Sequence, residues 1–568
     1  MPLSVRNLSV ALALSVSVCF PVSSQAQGLA GSYLAARQAS ILNDFQAAAD
    51  YYVRAITRDQ RNPMLLENAV VALANLGQID RAVPVARQMQ SVEVDSQIGQ
   101  MILLAEQLEK ENYQQAIDDI EAGRSVGPLV DGLVTAWNLL ALGKMDEALA
   151  KFDESTTQTG LQAFGLYHKA LALATKGEFA AAEAVLSGQE GEPLRLTRRG
   201  LYAHAQVLSQ LGRNDDAVEL ITGLFGNDLD PGLEALLAAL DAGETVPFTF
   251  VNSGKEGLAE VFYTVAGALN GEASDGYTLL YSRIAEYLRP DHTDAILLSA
   301  ALLESQSQYE LATIAYDRVS RDDPAFHVAE MGRAEAMRRS DNIEGATEVM
   351  RQLSETHADL AVVHVAHGDL LRQQERYDDA SKSYDLAVAL FEEDNEGQWI
   401  VYYARGISNE REDRWPLAER DFRKALELRP DQPQVLNYLG YSFVEMQINL
   451  EEALAMIEHA VAARPDSGYI TDSLGWVLYR MGKYEDAVGF MERAAELMPV
   501  DPIVNDHLGD VYWAVGRKIE AEFQWKRALS FDPEEDEANR IRRKLEVGLD
   551  VVLDEEGAEP LAVASDEG

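Results

Sequence analysis

Apolar residues recur at three- and four-residue intervals through nearly all of residues 28–545, the stripe of an amphipathic helix rather than the alternation of a strand. The stretch DSLGWVLYRMGKYEDAVGFMERAAELMP, residues 472–499, holds two such stripes, interrupted by Gly475, Gly482, Ala487, Ala494 and Pro499. Ala487 follows Gly475 by twelve residues, Ala494 follows by seven more and Pro499 by five. Gly509, Ala521, Ala528 and Pro533 repeat the spacing, as do Gly406, Ala418, Ala425 and Pro430. Gly440, Ala453, Ala460 and Pro465 carry one inserted residue, and Gly368, Ala380 and Ala387 lack the proline. Ala334 with Ala346, and Ala300 with Ala312 and Pro324, continue the series backwards. In the N-terminal half the pairs are Ala36 and Ala48, Val70 and Ala82, Leu104 and Ala116, Ala136 and Ala148, Ala170 and Ala182, and Ala205 and Ala217. Their second members lie 34, 34, 32, 34 and 35 residues apart, a period that predicts a repeated pair of helices.

The residue types explain the spacing. Two helices approach closely where facing positions are small, so each Gly or Ala marker is expected on the contact between the paired helices. The second alanine, two turns further on, is expected to meet the following unit. Gly77, Gly143, Gly177, Gly212, Gly482 and Gly516 fall seven residues after the first marker, where a helix ends in a left-handed residue. Pro430, Pro465, Pro499 and Pro533 stop the second helix, because proline has no amide hydrogen to donate.

This arrangement resembles the tetratricopeptide repeat, a 34-residue helix-turn-helix unit, most clearly over residues 359–533. The resemblance implies an all-α fold, a right-handed α-solenoid of about 13 or 14 units interrupted near the middle. Several N-terminal units depart from it, with Val, Leu or Ala in place of the first glycine.

The period falters between Ala217 and Ala312, where Ala266, Thr278 and Pro290 mark only a degenerate unit. Residues 243–257, GETVPFTFVNSGKEG, have no helical period, and Thr245 to Val251 alternate apolar and polar as an extended segment does. The expected organisation is a signal peptide over 1–26, an N-terminal solenoid over 27–242 and an irregular seam over 243–257, either connector, hinge or docking strand. A C-terminal solenoid with a capping helix over 258–547 and an acidic disordered tail over 548–568 complete it.

Composition narrows the function. The chain has 93 acidic and 48 basic residues, a net charge of -45 spread along its length, which disfavours nucleic acid as a partner. Arg6, the apolar stretch Leu8 to Val22 and the small residues at Ser24 and Ala26 read as a signal peptide cleaved after Ala26. The predicted location is therefore periplasmic or otherwise exported. No segment is long and apolar enough to be expected to span a bilayer. The single cysteine, Cys19, lies inside that signal and follows Val18, which argues against a lipid anchor on the outer membrane.

A search for chemistry finds no GxSxG, HExxH, GxxxxGK or GxGxxG motif, and no cofactor, catalytic residue or small-molecule ligand is predicted. One cluster, His357, His364 and His367 with Asp369, has the residue types of a metal site. His367, however, stands where neighbouring units place Leu439, Leu474 and Leu508, and so reads as a core residue. An enzyme using this cluster or the 243–257 seam is the alternative to a scaffold.

In the tetratricopeptide family the first helices of successive units line a concave groove. The family's groove positions, one after the marker, three before it and four after it, place Asn437, Tyr441 and Val444, then Asp472, Trp476 and Tyr479, then Asp506, Asp510 and Trp513 there, with Tyr403 extending the row. The row lacks the Lys, Asn and Arg set that clamps a terminal carboxylate in some members. Aromatic and acidic side chains suit protein or peptide partners with apolar and basic groups. The segments LNYLGY, DSLGWVLYR and NDHLGDVYW further resemble exported bacterial tetratricopeptide adaptors, some of which are lipoproteins that deliver substrates to a periplasmic carboxyl-terminal processing protease. That resemblance implies a scaffold or adaptor for envelope proteins.

Overall fold

The computed structural model describes residues 28–156, 160–188, 194, 196–226, 229–558 and 561. The expected signal peptide and the end of the expected tail lie outside these residues. The described chain is all-helical, with 31 α-helices, one short 3-10 turn and no strand. Consecutive helices pack against one another in pairs, as in an α-solenoid. Two compact units result, residues 1–349 and residues 350–568. The 243–257 segment thus lies inside the first unit rather than between two.

In the second unit the glycine markers are recesses for large side chains. A Cβ on Gly406 would stand 2.6 Å from Phe422 Cε1, on Gly368 2.7 Å from Tyr384 Cε1, on Gly440 2.8 Å from Ile457 Cγ1, and on Gly475 2.7 Å from Met491 Cγ. At Gly509 it would overlap the Trp525 indole. The residue filling each recess lies one turn beyond the alanine of the second helix. Those alanines, Ala380, Ala418, Ala453, Ala487 and Ala521, are fully buried, as are Ala387, Ala425, Ala460, Ala494 and Ala528 two turns on. Burying a Phe or Ile side chain stabilises by about 1.5–3 kcal/mol, and the close helix approach repeats that gain in each unit.

The turns follow the expected geometry. Gly482 and Gly516 have φ of +75° and +81°. Where a unit lacks the glycine the left-handed turn persists on another residue, as at Glu375 (+60°), Asp413 (+55°) and Gln447 (+55°).

The first unit departs from a simple array. The helices Pro63–Asn75, Gln97–Glu109, Pro128–Ala141, Gln162–Thr175 and Arg198–Gln210 are first helices of successive pairs and form an inner face. Two further helices, Gly254–Leu269 and Asp275–Leu288, lie along that face: the former packs on Gln97–Glu109, Pro128–Ala141 and Gln162–Thr175, the latter on Pro63–Asn75 and Gln97–Glu109. The degenerate unit expected around Ala266 therefore fills the groove while also pairing onward with the helix Thr293–Ser305 as a step of the array does. Two glycines permit it. A Cβ on Gly254 would stand 2.6 Å from Ala141 Cβ, and one on Gly257 would overlap the Trp137 indole.

At the C-terminus the expected tail begins too early. Leu549–Glu555 is a helix with Leu549 and Val552 buried, because Leu549, Val552 and Leu553 form an apolar stripe that packs onto the capping helix Glu535–Val547.

Candidate functional site: the inner face of the second unit

The row of predicted groove residues is divided by the structure into three groups. Asp506, Asp510 and Trp513, on the helix Pro502–Ala514, are engaged by the chain's own C-terminal helices. Lys544 Nζ, fully buried, donates to both Asp506 oxygens at 2.9 and 2.7 Å and to Asp510 Oδ1 at 2.6 Å. Arg540 Nη1 approaches Asp510 at 3.5 Å, and Trp525 Nε1 donates to Asp510 Oδ1 at 2.9 Å. Trp513 Nε1 donates to Asp550 Oδ2 at 2.9 Å, with Gly548 against its ring. These three groups hold the cap in place. Burial raises the Asp506 carboxyl above its ordinary range and the Lys544 charge opposes that rise.

Trp476 and Tyr479, on Gly468–Arg480, are each 7% exposed. Trp476 stacks on Tyr479 with ring centroids 4.7 Å apart and on His507 at 3.9 Å, and its Nε1 donates to Glu445 Oε1 at 2.8 Å. His507 Nδ1 lies 3.0 Å from Asp472 Oδ2. Burial alone would lower the His507 pKa, but Asp472, Asp506 and Asp510 outweigh it and raise it. Val444, also in the row, is fully buried.

The remaining members, Asn437, Tyr441 and Asp472, line a recess of about 590 Å³ between Trp399–Arg411, Pro433–Glu445 and Gly468–Arg480, and Tyr403 packs behind it. Its walls include the aromatic rings of Trp415, Tyr438, Tyr441 and Tyr469. Four carboxylates, Glu410, Asp413, Glu445 and Asp472, face one guanidinium, Arg411, around it. Tyr438 donates to Glu410 at 3.1 Å. Burial raises the Tyr441 phenol well above its ordinary value, with Glu445 and Asp472 adding to the shift. Tyr403, raised to about 12 by burial and then Tyr469, lies edge-on to Tyr438 at 5.8 Å. Two buried oxygens here have no hydrogen-bond partner, Asn437 Oδ1 and Asp472 Oδ1. A buried acceptor left unsatisfied costs about 1–3 kcal/mol.

The members of the histidine cluster are engaged separately. Among the described residues no group of three or more His, Cys, Asp or Glu side chains is arranged to hold a metal ion. His364 is buried and donates from Nε2 to Ala358 O at 2.9 Å, His357 Nδ1 lies 3.0 Å from Thr356 Oγ1, and Asp369 accepts from Tyr384 at 2.7 Å. Burial, with His364 close by, lowers the His367 pKa to about 4.

Missed by the sequence reading was the fate of the other inner face. The same three offsets applied to Leu104, Ala136 and Ala170 give Met101, Ala105 and Leu108, then Leu133, Trp137 and Leu140, then Tyr167, Leu171 and Ala174. Except for Tyr167 these are apolar and at most 3% exposed. Apolar residues at groove positions were the available signal that something covers them. The cover is locked by a buried charge: Glu260, 1% exposed, accepts from Arg199 Nη2 at 2.8 Å and Tyr167 at 3.1 Å and meets His292 Nε2 at 3.2 Å. Burial would raise its pKa, but Arg199 and His292 hold it well below the usual carboxylate range.

Fold and site together define a helix-pair repeat protein with one inner face filled by its own chain and a recess open on the other. The tetratricopeptide repeat model matches residues 365–433, 403–469 and 439–502, all within the second unit. Among curated proteins, a TPR repeat-containing protein of Pseudomonas aeruginosa is 24% identical over 183 residues, covering 32% of this chain and 30% of that protein's length. Among solved structures, a chain of the APC/C hetero-tetramer Cut9–Hcn1 aligns at 14% identity over 91% of this chain and 96% of its own, with a TM-score of 0.37. A tetratricopeptide repeat protein of Parabacteroides merdae aligns at 15% identity over 44% of this chain and 97% of its own, with a TM-score of 0.36.

Proposed function

We propose that this protein is an exported, non-catalytic scaffold or adaptor that binds envelope proteins through the inner face of its second unit. Tetratricopeptide repeats support protein–protein interaction as the general role. The observation that carries the site is the 590 Å³ recess, walled by Trp415, Tyr438, Tyr441 and Tyr469 and ringed by four carboxylates. A partner segment with lysine or arginine beside apolar side chains offers the donors, the charge and the surface that this recess lacks. Export rests on the Arg6, Leu8 to Val22 and Ala26 pattern, and service to a periplasmic processing protease on the resemblance of the C-terminal repeats.

The experiment is site-specific photo-crosslinking in intact cells, with the reactive side chain at Tyr469 on the recess and, as control, at Ile519, which is 84% exposed. One envelope protein crosslinked from Tyr469, absent from Ile519 and lost on Tyr441→Ala in a protein of unchanged melting temperature, is the expected outcome. Equal labelling from both positions refutes the site. N-terminal sequencing of the mature chain, expected to begin at Gln27, tests export separately.

A further inference from the structure

The helix Arg198–Gln210 differs from the other inner helices of the first unit, because its inner positions are polar and buried. Gln206 is 2% exposed and Ser209 1%. Their side-chain hydrogen bonds run to a segment of the same chain that has no regular secondary structure, residues 244–253. Gln206 Oε1 accepts from Thr249 N at 3.1 Å while its Nε2 donates to Thr249 Oγ1 at 3.2 Å. Ser209 Oγ accepts from Val246 N at 2.9 Å, and Gln210 Nε2 donates to Val246 O at 2.6 Å. Thr175 Oγ1, on the adjacent inner helix, donates to Val251 O at 3.1 Å. The segment runs antiparallel to the helix, Val246 at Gln210, Thr249 at Gln206 and Phe250 at Arg199.

Two aromatic side chains complete the seat. Phe248 lies 6.3 Å from Phe179, ring to ring, and the Arg199 guanidinium stands 4.1 Å over the Phe250 ring. Most of these contacts go to main-chain atoms, which gives affinity without reading side chains, while the two phenylalanines supply the pockets' selectivity. The seated segment is shallow along residues 244–249, where Glu244, Thr245, Pro247 and Thr249 are exposed, and is anchored at its end by Phe250 and Val251, which are buried like Leu258, Val261 and Phe262 of the following helix Gly254–Leu269. Segments with few buried apolar contacts and exposed backbone open at lower free energy than the core around them.

We infer that this surface is a peptide-binding groove, separate from the recess of the second unit, whose ligand is an extended segment of a partner protein with aromatic residues at positions i and i+2. Residues 244–251 occupy it in cis, and the partner segment enters by replacing them while the helices on either side stay in place. The tether holds the internal segment at high effective concentration, so an isolated peptide competes poorly with it.

The test uses the full chain and a labelled peptide with the sequence of residues 243–254. The unmodified protein is expected to bind it weakly, and a Phe248→Ser, Phe250→Ser protein, with its internal segment loosened, at least tenfold more tightly. Adding Gln206→Ala and Gln210→Ala is expected to abolish the gain. A folded double variant that binds no better than the unmodified chain overturns the inference, as does binding that survives loss of both glutamines or that a scrambled peptide matches. Hydrogen exchange on the unmodified chain decides the case in which the double variant does not fold. The Val246 and Thr249 amides are expected to exchange at least tenfold faster than those of Val261 and Phe262, and exchange at a common rate overturns it.

Discussion

Lys544 and Asp510 form an ion pair at 2.6 Å in which both side chains are wholly buried, and Asp506 shares the same ammonium. A buried pair adds little against an apolar replacement of both partners, but removing one partner strands a charge, at about 3–5 kcal/mol. Lys544→Met is therefore expected to destabilise the second unit by about that amount. Urea unfolding followed at Trp525, which packs within 5.6 Å of the ammonium, measures it. A triple change that also makes Asp506 and Asp510 into Asn is expected to recover most of the loss.

Gly257→Ala is expected to cost about 3 kcal/mol, because the new methyl must displace the buried Trp137 indole. Gly143→Ala is the comparison: φ there is +79° with nothing within 4 Å of the added Cβ, so only the backbone term of about 1 kcal/mol applies. Equal losses in thermal unfolding would show that the inserted helix does not depend on close approach.

At Gln447 the opposite sign is expected. This exposed residue holds φ of +55°, a conformation that glycine adopts without strain. Gln447→Gly is expected to stabilise by about 0.5–1 kcal/mol, despite glycine's larger unfolded-state entropy. Chemical denaturation that shows a loss contradicts the turn assignment.

His168 sets a pH dependence in the first unit. It is fully buried, accepts from Trp137 Nε1 at 3.1 Å, and has its pKa lowered by burial to about 4, with Glu260 opposing. The unfolded chain protonates this imidazole near 6.5 and the folded chain only near 4. Its contribution is therefore fully present above about pH 6.5 and falls as the pH drops toward 4, by about 3 kcal/mol in all. Melting curves from pH 7.5 to 4 should show a shallower decline for His168→Gln than for the unmodified chain.

Trp513→Ala separates the cap from the recess. Because its Nε1 is bonded to Asp550 and its ring lies against Gly548, the loss should appear as faster proteolysis of residues 549–555, with crosslinking from Tyr469 unchanged. Loss of that crosslink with the cap intact would return Trp513 to the partner-binding row.

The repeat was legible in the sequence because its physical cause is local. Gly475, Ala487 and Gly482 each answer to a contact or a turn within their own unit, so spacing alone reveals them. The recess was partly legible, since Asn437, Tyr441 and Asp472 sit at fixed offsets from those markers. Non-local contacts were not: that Lys544 reaches Asp506, or that Gly257 meets Trp137, depends on which helix the chain brings back. Here the segment that returns is the one whose period fails. The glycines of that segment looked like a connector because small residues serve both loops and tight helix crossings.

The lining of the first unit by residues 254–288 also bears on synthesis. Arg283 Nε donates to Asn75 O and Tyr287 to Asp80 Oδ1, over more than 200 intervening residues. Until the ribosome has delivered those helices, Met101, Leu133 and Trp137 form an open, greasy trough. Such a nascent chain needs a chaperone or speed, and a fragment stopped at residue 242 should aggregate where a fragment ending at 349 stays in solution.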